Sequence, residues 1–201
     1  MSMQIKTDIL KAMLVIAPTK DIRYYLNGVL VEASGAIVAS DGHRLLAARC
    51  EADSDPDARD VIIPVEAVKQ AISAKQPHVT LEGNKLGNVE FAPIDGTYAN
   101  WRSVVPAELS PPDDLADVQF NASYVGDFGK VAKILTGAAE KMSLKAAKWD
   151  KASGVFGAIL FAGREDVLGV LMPLRSDVEA PDVYWQAIRR VVATETQGDR
   201  A

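Results

Sequence analysis

The sequence predicts an α+β fold made of three strand–helix–strands units. Two observations carry that expectation. Short strand-like runs, Met3-Gln4-Ile5-Lys6-Thr7, Asp60-Val61-Ile62-Ile63-Pro64 and Asp117-Val118-Gln119-Phe120-Asn121, recur at even spacing, with Thr7, Pro64 and Asn121 fifty-seven residues apart. Each run ends on a residue suited to starting a helix. Thr and Asn can cap first-turn N–H groups, and Pro lacks the N–H that would be unpaired there. Behind each start, apolar residues fall three and four apart: Ile9, Leu10, Met13 and Leu14, then Val65, Val68 and Ile72, then Val125, Phe128, Val131, Ile134 and Leu135. That spacing puts them on one helix face.

Strands are expected after each helix. In unit one they are Gly28 to Val31, Ala36 to Ala39 and His43 to Leu46, with turns at Ser34-Gly35 and Asp41-Gly42. An Asp-Gly pair between two such runs predicts a two-residue hairpin with both positions at positive φ. Unit two offers His78 to Leu81, Val89 to Ala92 and Tyr98 to Val105, with turns at Gly83-Asn84 and Asp95-Gly96. Unit three offers a hairpin of Val155 to Phe161 and Val167 to Leu174. Ser110-Pro111-Pro112-Asp113-Asp114 reads as a stiff polar connector, and Asp53 to Asp60 as a solvated acidic loop. After Pro181, Tyr184, Ile188, Val191 and Val192 predict a last amphipathic helix and a frayed end. The expected division is therefore a two-unit domain at 1–109, a linker at 110–116, a half domain at 117–176 and a helix with tail at 177–201.

The 201 residues are 48% hydrophobic and 24% charged, which suits a chain with a real core and excludes wholesale disorder. A net charge of -5 excludes coating by nucleic acid through bulk charge, though not a local basic face. Cys50 is the single cysteine, and with two histidines a Cys/His metal site is not expected. No signal peptide and no apolar run of about 20 residues is seen, so a cytoplasmic protein off the membrane is expected. His43 and His78 lack a nucleophile setting, and Asp113-Asp114 and Glu165-Asp166 read as turn charge. No G-x-x-x-x-G-K-[ST] loop is present. Catalytic residues, cofactors and metals are all expected to be none, and a binding or assembly role is favoured over a hydrolase or nucleotide-binding enzyme.

Particular residues then point to a family. Asp21 to Leu30, followed by Ser40-Asp41-Gly42-His43-Arg44-Leu45, resembles the middle domain of the bacterial DNA polymerase III beta subunit, the sliding clamp. Asp95 to Pro106 resembles the segment that ends that domain. Phe120 to Val125 and Val170-Leu171-Met172-Pro173-Leu174-Arg175 resemble the second half of its last domain. The resemblance covers residues 1 to 175 and implies the DNA-clamp fold of β-α-β-β-β repeats, three per chain. It also implies a non-enzymatic processivity factor in DNA replication, tethering clamp-binding peptides of polymerases or other replication proteins in a hydrophobic pocket. The alternative is a clamp relative that does not encircle DNA and acts as a decoy or regulator.

The pocket residues implied by the resemblance are Leu26, Gly42, His43, Arg44, Leu45, Ala99, Val104, Val170, Leu171, Met172, Pro173, Leu174 and Arg175, with Arg44 and Arg175 orienting polar groups at the rim. Ala99 stands where the family usually has Pro, and Ser103 where a second Arg is usual, which puts peptide preference in doubt. Read alone, Leu26, Leu45, Val170 and Leu171 are ordinary strand core. A clamp also implies duplex DNA, held without sequence preference and sensitive to salt. Lys11, Lys69, Lys75, Lys130 and Lys133 are the candidate contacts, although such lysines are equally what solvated helices show. A half domain leaves an unmatched sheet edge, so a homo-oligomer is expected, or else a tail that covers the edge.

Overall fold

The computed structural model describes residues 2–50, 58–106, 108–109, 118–148 and 155–174. In unit one, β1 (Ser2–Lys6) runs into α1 (Thr7–Ile16), followed by β2 (Gly28–Val31), β3 (Ala36–Ser40) and β4 (Arg44–Arg49). In unit two, β5 (Val61–Pro64) runs into α2 (Val65–Ala71), followed by β6 (His78–Glu82), β7 (Lys85–Leu86) and β8 (Val89–Glu90). Unit three holds α3 (Ala122–Thr136), β9 (Met142–Lys148), β10 (Val155–Phe161) and β11 (Val167–Leu171).

The first two units exchange strands. β1 leaves its own unit and pairs antiparallel with β6, Ile5 opposite Val79, while β5 pairs antiparallel with β2, Ile63 opposite Val29. Unit three then joins edge to edge, β11 lying antiparallel to β4 with Val170 opposite Leu45. The result is a four-stranded sheet, β1-β6-β7-β8, and a seven-stranded sheet, β5-β2-β3-β4-β11-β10-β9.

Alternation along each strand sends side chains to two faces. On the helix side of the long sheet, Val29, Val31, Ile37, Leu46, Ile159 and Leu171 meet Ile9, Leu10 and Met13 of α1, Val68 of α2 and Phe128 and Val131 of α3. α1 lies between the other two helices and packs on both. On the opposite face, Leu30, Val38, Leu45, Ile62, Phe156, Ala158 and Val170 form a second cluster with Leu26 and Tyr98. The segment from Ile94 to Val104 straps across that outer face, anchored where Ile94 N donates to Ile62 O at 3.0 Å.

Several expectations need correction. Tyr98 to Val105 is not a strand: Trp101–Val104 is a 3-10 turn, and the third strand of unit two is the short β8, with β7 preceding it. β9 was not foreseen, because alternation in Met142-Ser143-Leu144-Lys145-Ala146-Ala147-Lys148 is blurred by lysine and alanine. Val118 to Asn121 is not a strand, although Gln119 O accepts from Leu174 N at 2.7 Å, whereas its counterparts β1 and β5 are both in sheets. The hairpin turn is centred one residue later than expected. Asp41 N donates to Arg44 O, Gly42 and His43 are the central residues, and only Gly42 is left-handed, at φ 85°. Glycine supplies that left-handed φ without the cost a Cβ would carry.

Of the three helix starts, only Asn121 caps through its side chain, accepting from Ser123 N at 2.9 Å. Thr7 Oγ1 instead donates to Gln76 O. The connector Ser110 to Asp114, Asp117, the tail after Ser176 and most of the acidic loop lie outside the described residues.

Candidate functional site

The sheet junction between β4 and β11 carries an open apolar groove of about 300 Å³ on its outer face. Leu45 of β4 and Val170 of β11 are register partners and form its floor. Tyr98, Ala99, Trp101 and Val104 of the strap form one wall. The turn at Gly42-His43 and Met172 close one end, joined by Met172 N donating to His43 O at 2.9 Å. Burial pushes the Tyr98 phenol far above its ordinary pKa, so that wall is neutral.

The turn is held from behind. Asp41 Oδ1 accepts from His43 N at 2.9 Å and Arg44 N at 3.0 Å, and Ser40 Oγ donates to Arg44 O while accepting from Gly42 N. Arg23 is clamped to Asp21 at 2.7–2.9 Å and donates to Asp41 O at 2.8 Å. Its guanidinium lies against Gly42, where a Cβ would stand within 2.3 Å of Nη1. Glycine is therefore favoured there for its φ, and any side chain would also have to push the clamped Arg23 guanidinium aside.

Gly42, His43, Arg44, Leu45, Ala99, Val104, Val170 and Met172 are thus brought together around one groove. Leu26 is 2% exposed and packs in the cluster beneath it rather than on its surface. Leu171 is a correction: strand alternation turns it away from Val170 to the helix face, where it is fully buried. Pro173 and Leu174 follow the groove as exposed residues, and Arg175 lies outside the described residues.

Arg44 is a second correction. It is not a free rim cation, because its side chain is only 10% exposed and is committed to partners. Nε donates to Asp41 at 2.8 Å, Nη1 donates to Asp127 of α3, and the guanidinium lies 4.6 Å over the Tyr124 ring. His43 stacks on the same ring at 6.1 Å. Burial alone would raise the Asp127 carboxyl, but hydrogen bonds from Lys130 and Arg44 outweigh it and hold it below the ordinary carboxylate range. The groove's end is therefore tied to unit three electrostatically.

The sequence did not single out Tyr98 or Trp101, whose role depends on a strap that has no periodic signal. Trp101 is fixed by Nε1 donating to Glu32 at 2.8 Å, and the Arg102 guanidinium stacks 4.3 Å from its ring. Arg102 hydrogen bonds, resisted by burial and aided by Trp101 and Ser34, bring the Glu32 carboxyl down to about 2.

On the helix side, Lys11, Lys69, Lys75, Lys130 and Lys133 are all exposed. Lys69 and Lys130 already pair with Glu66 and Asp127, each at 2.7 Å. Lys11 and Lys75 meet Lys6 and His78 around a cleft of about 520 Å³ at the start of α1. Among the described residues no three His, Cys, Asp or Glu side chains gather as a metal site would need. No helix among them is long and apolar enough to cross a membrane.

The chain matches no protein-family model. It is 32% identical over 105 residues to the beta sliding clamp of Vibrio cholerae, covering 45% of this chain and 29% of that protein. To the beta sliding clamp of Pseudomonas aeruginosa it is 44% identical over 107 residues, covering 43% and 28%. The stretch that matches by sequence thus covers less than a third of the length of these relatives. Among solved structures, a DNA polymerase sliding clamp from Pseudomonas aeruginosa superposes with a TM-score of 0.62 at 18% identity, over 87% of this chain and 66% of that one. The DNA polymerase III subunit beta of Borrelia burgdorferi gives 0.61 at 14%, over 88% and 63%. The strand-exchanged units and these superpositions establish the DNA-clamp fold.

Proposed function

We propose that this chain, a relative of the bacterial beta sliding clamps, is a non-enzymatic recruiting platform that holds short linear peptides of DNA-handling proteins in the groove between β4 and β11. The observation that carries the reading is the convergence of Leu45, Val104, Val170 and Met172, from three separate stretches of chain, on one apolar groove open to solvent. Such a groove suits one or two apolar anchors of an extended peptide, with exposed backbone groups at its ends fixing direction. Processivity would follow from holding a polymerase beside its template. Met172 is 37% exposed, so an aspartate there disturbs the groove without opening the core. In an anisotropy titration with a Leu-Phe-containing clamp-binding peptide, Met172→Asp is expected to weaken binding at least tenfold, about 1.4 kcal/mol, with an unchanged circular dichroism spectrum. Equal affinity in the variant, or no binding by the parent protein, would sink the reading.

Duplex DNA is the second proposed partner, on the face where α1 and α3 expose Lys11, Lys130 and Lys133. Because Lys69 and Lys130 are already paired and the net charge is -5, the contact is weak. Binding is expected only at low salt, without sequence preference, and falling steeply by about 0.2 M salt; sequence preference or indifference to salt contradicts it. The same spent lysines favour the second reading, a regulator that does not encircle DNA. Retention on circular duplex with release on linearisation separates an encircling clamp from that regulator.

A further inference from the structure

The chain leaves its last strand at the mouth of the groove. Met172 N donates to His43 O at 2.9 Å and Leu174 N to Gln119 O at 2.7 Å, so the exit is pinned to unit one and to the lead into α3. Met172 lines the groove, and Met172, Pro173 and Leu174 are all exposed, Leu174 to 48%. Residues 175–201 follow from this fixed point and lie outside the described residues. The resemblance stops at residue 175, so nothing in the three units accounts for the tail.

The tail sequence has two parts. Residues 175–182 are a mostly polar spacer with Asp177, Glu179 and Asp182. Tyr184, Ile188 and Val191 then stand at i, i+4 and i+7, the spacing by which a helix presents an apolar stripe to a groove. Fully extended, the spacer reaches about 26 Å. The floor pair Leu45 and Val170 lies only two residues back along β11 from Met172, about 7 Å. The stripe can therefore return to the groove with slack, and a groove of about 300 Å³ has room for one or two of its side chains. A short flexible tether holds the stripe there at an effective concentration of about a millimolar. A contact of only ~0.1 mM intrinsic affinity would then be filled about nine-tenths of the time. Covering the edge strand β9 would instead take the tail across β10.

We propose that Tyr184 and Ile188 of this chain's own tail occupy the groove between β4 and β11, as a tethered ligand that incoming peptides must displace. The inference rests on the reading of that groove as a peptide site and adds its regulation. Recruitment then goes to peptides that out-compete the tail, because apparent affinity is lowered by the fraction of grooves the tail leaves open.

Two measurements on the full chain test this. In the anisotropy titration, the double variant Tyr184→Asp, Ile188→Asp is expected to bind the Leu-Phe-containing peptide about fivefold or more tighter than the parent protein. In amide exchange without peptide, residues 183–192 are expected to be slowed at every protein concentration, and Met172→Asp or an excess of the peptide to restore fast exchange. Equal affinity in the double variant, with fast exchange at 183–192 in the parent, overturns the proposal and leaves the groove a peptide site. Protection that ignores both Met172→Asp and the peptide overturns it too, because the tail then rests elsewhere. Protection that fades on dilution overturns it as well, because the tail then serves a second copy. If neither protein binds the peptide but protection still depends on Met172, the recruiting function fails and the tethered ligand stands.

Discussion

Replacing Phe128 with alanine is expected to lower stability by about 3–5 kcal/mol, the range for emptying a fully buried aromatic site. Phe128 is 0% exposed and comes from the middle of α3. Its ring rests on the backbone of β11 at Gly169, where a Cβ would stand 2.6 Å from Cε1 and 2.9 Å from Ile159 Cβ. The glycine is what lets helix and sheet approach, and the ring fills the space that results. Gly169→Ala should therefore cost about 1–3 kcal/mol by overpacking. In the double variant the obstructing ring is gone, so the losses should fall short of additivity by about 1 kcal/mol or more. Urea denaturation of the four proteins provides the comparison. A loss below about 1 kcal/mol for Phe128→Ala, or strict additivity, would show that the ring does not seat unit three on its sheet.

That contact also shows what periodicity can and cannot disclose. Phe128 is readable as core because Val125, Phe128, Val131 and Leu135 recur at helical spacing, and the same rule finds α1 and α2. The paired runs before α1 and α2 are readable too, as short apolar stretches that end on a helix-start residue. Which strand each would pair with is not readable. Sending β1 to β6 and β5 to β2 is a property of the whole topology, and the local sequence of Met3 to Lys6 carries no trace of it. The strap from Ile94 to Val104 follows no period, since it is fixed by single contacts such as Trp101 to Glu32. Long-range ion pairs are equally silent: Arg164, held locally by Asp166 at 2.8 Å, reaches Asp8 at 2.7 Å and joins unit three to the start of α1. The groove was legible only because its residues resemble those of a family. Leu171 misleads within that resemblance because adjacency in sequence means opposite faces on a strand.

Arg44 couples the groove to unit three, and its removal should be felt in both. Arg44→Ala leaves Asp41 and Asp127 facing each other without the guanidinium between them, and the Tyr124 ring without its cation. Breaking a buried pair by deleting one partner costs about 3–5 kcal/mol. Asp127 keeps Lys130 and these pairs are only part-buried, so a smaller loss of about 1.5–3 kcal/mol, the range for hydrogen bonds to charged groups, is expected. The sign of the pH dependence follows from Asp127, whose folded carboxyl is held below its ordinary value. Its contribution is complete above the unfolded carboxylate pKa, about 3.9, and is lost as pH falls through the lower folded value. In the variant Asp127 loses the guanidinium that helped lower its carboxyl, so the stability gap from the parent protein should be widest near neutrality and shrink below about pH 4. Because the His43 ring also leans on Tyr124, the Gly42-His43 turn loses its backing, and peptide affinity should fall together with stability. Denaturation at neutral and acid pH, paired with the peptide titration, measures both. A gap that does not change with pH would mean that the charges contribute nothing and that Arg44 acts through its packing on Tyr124 alone.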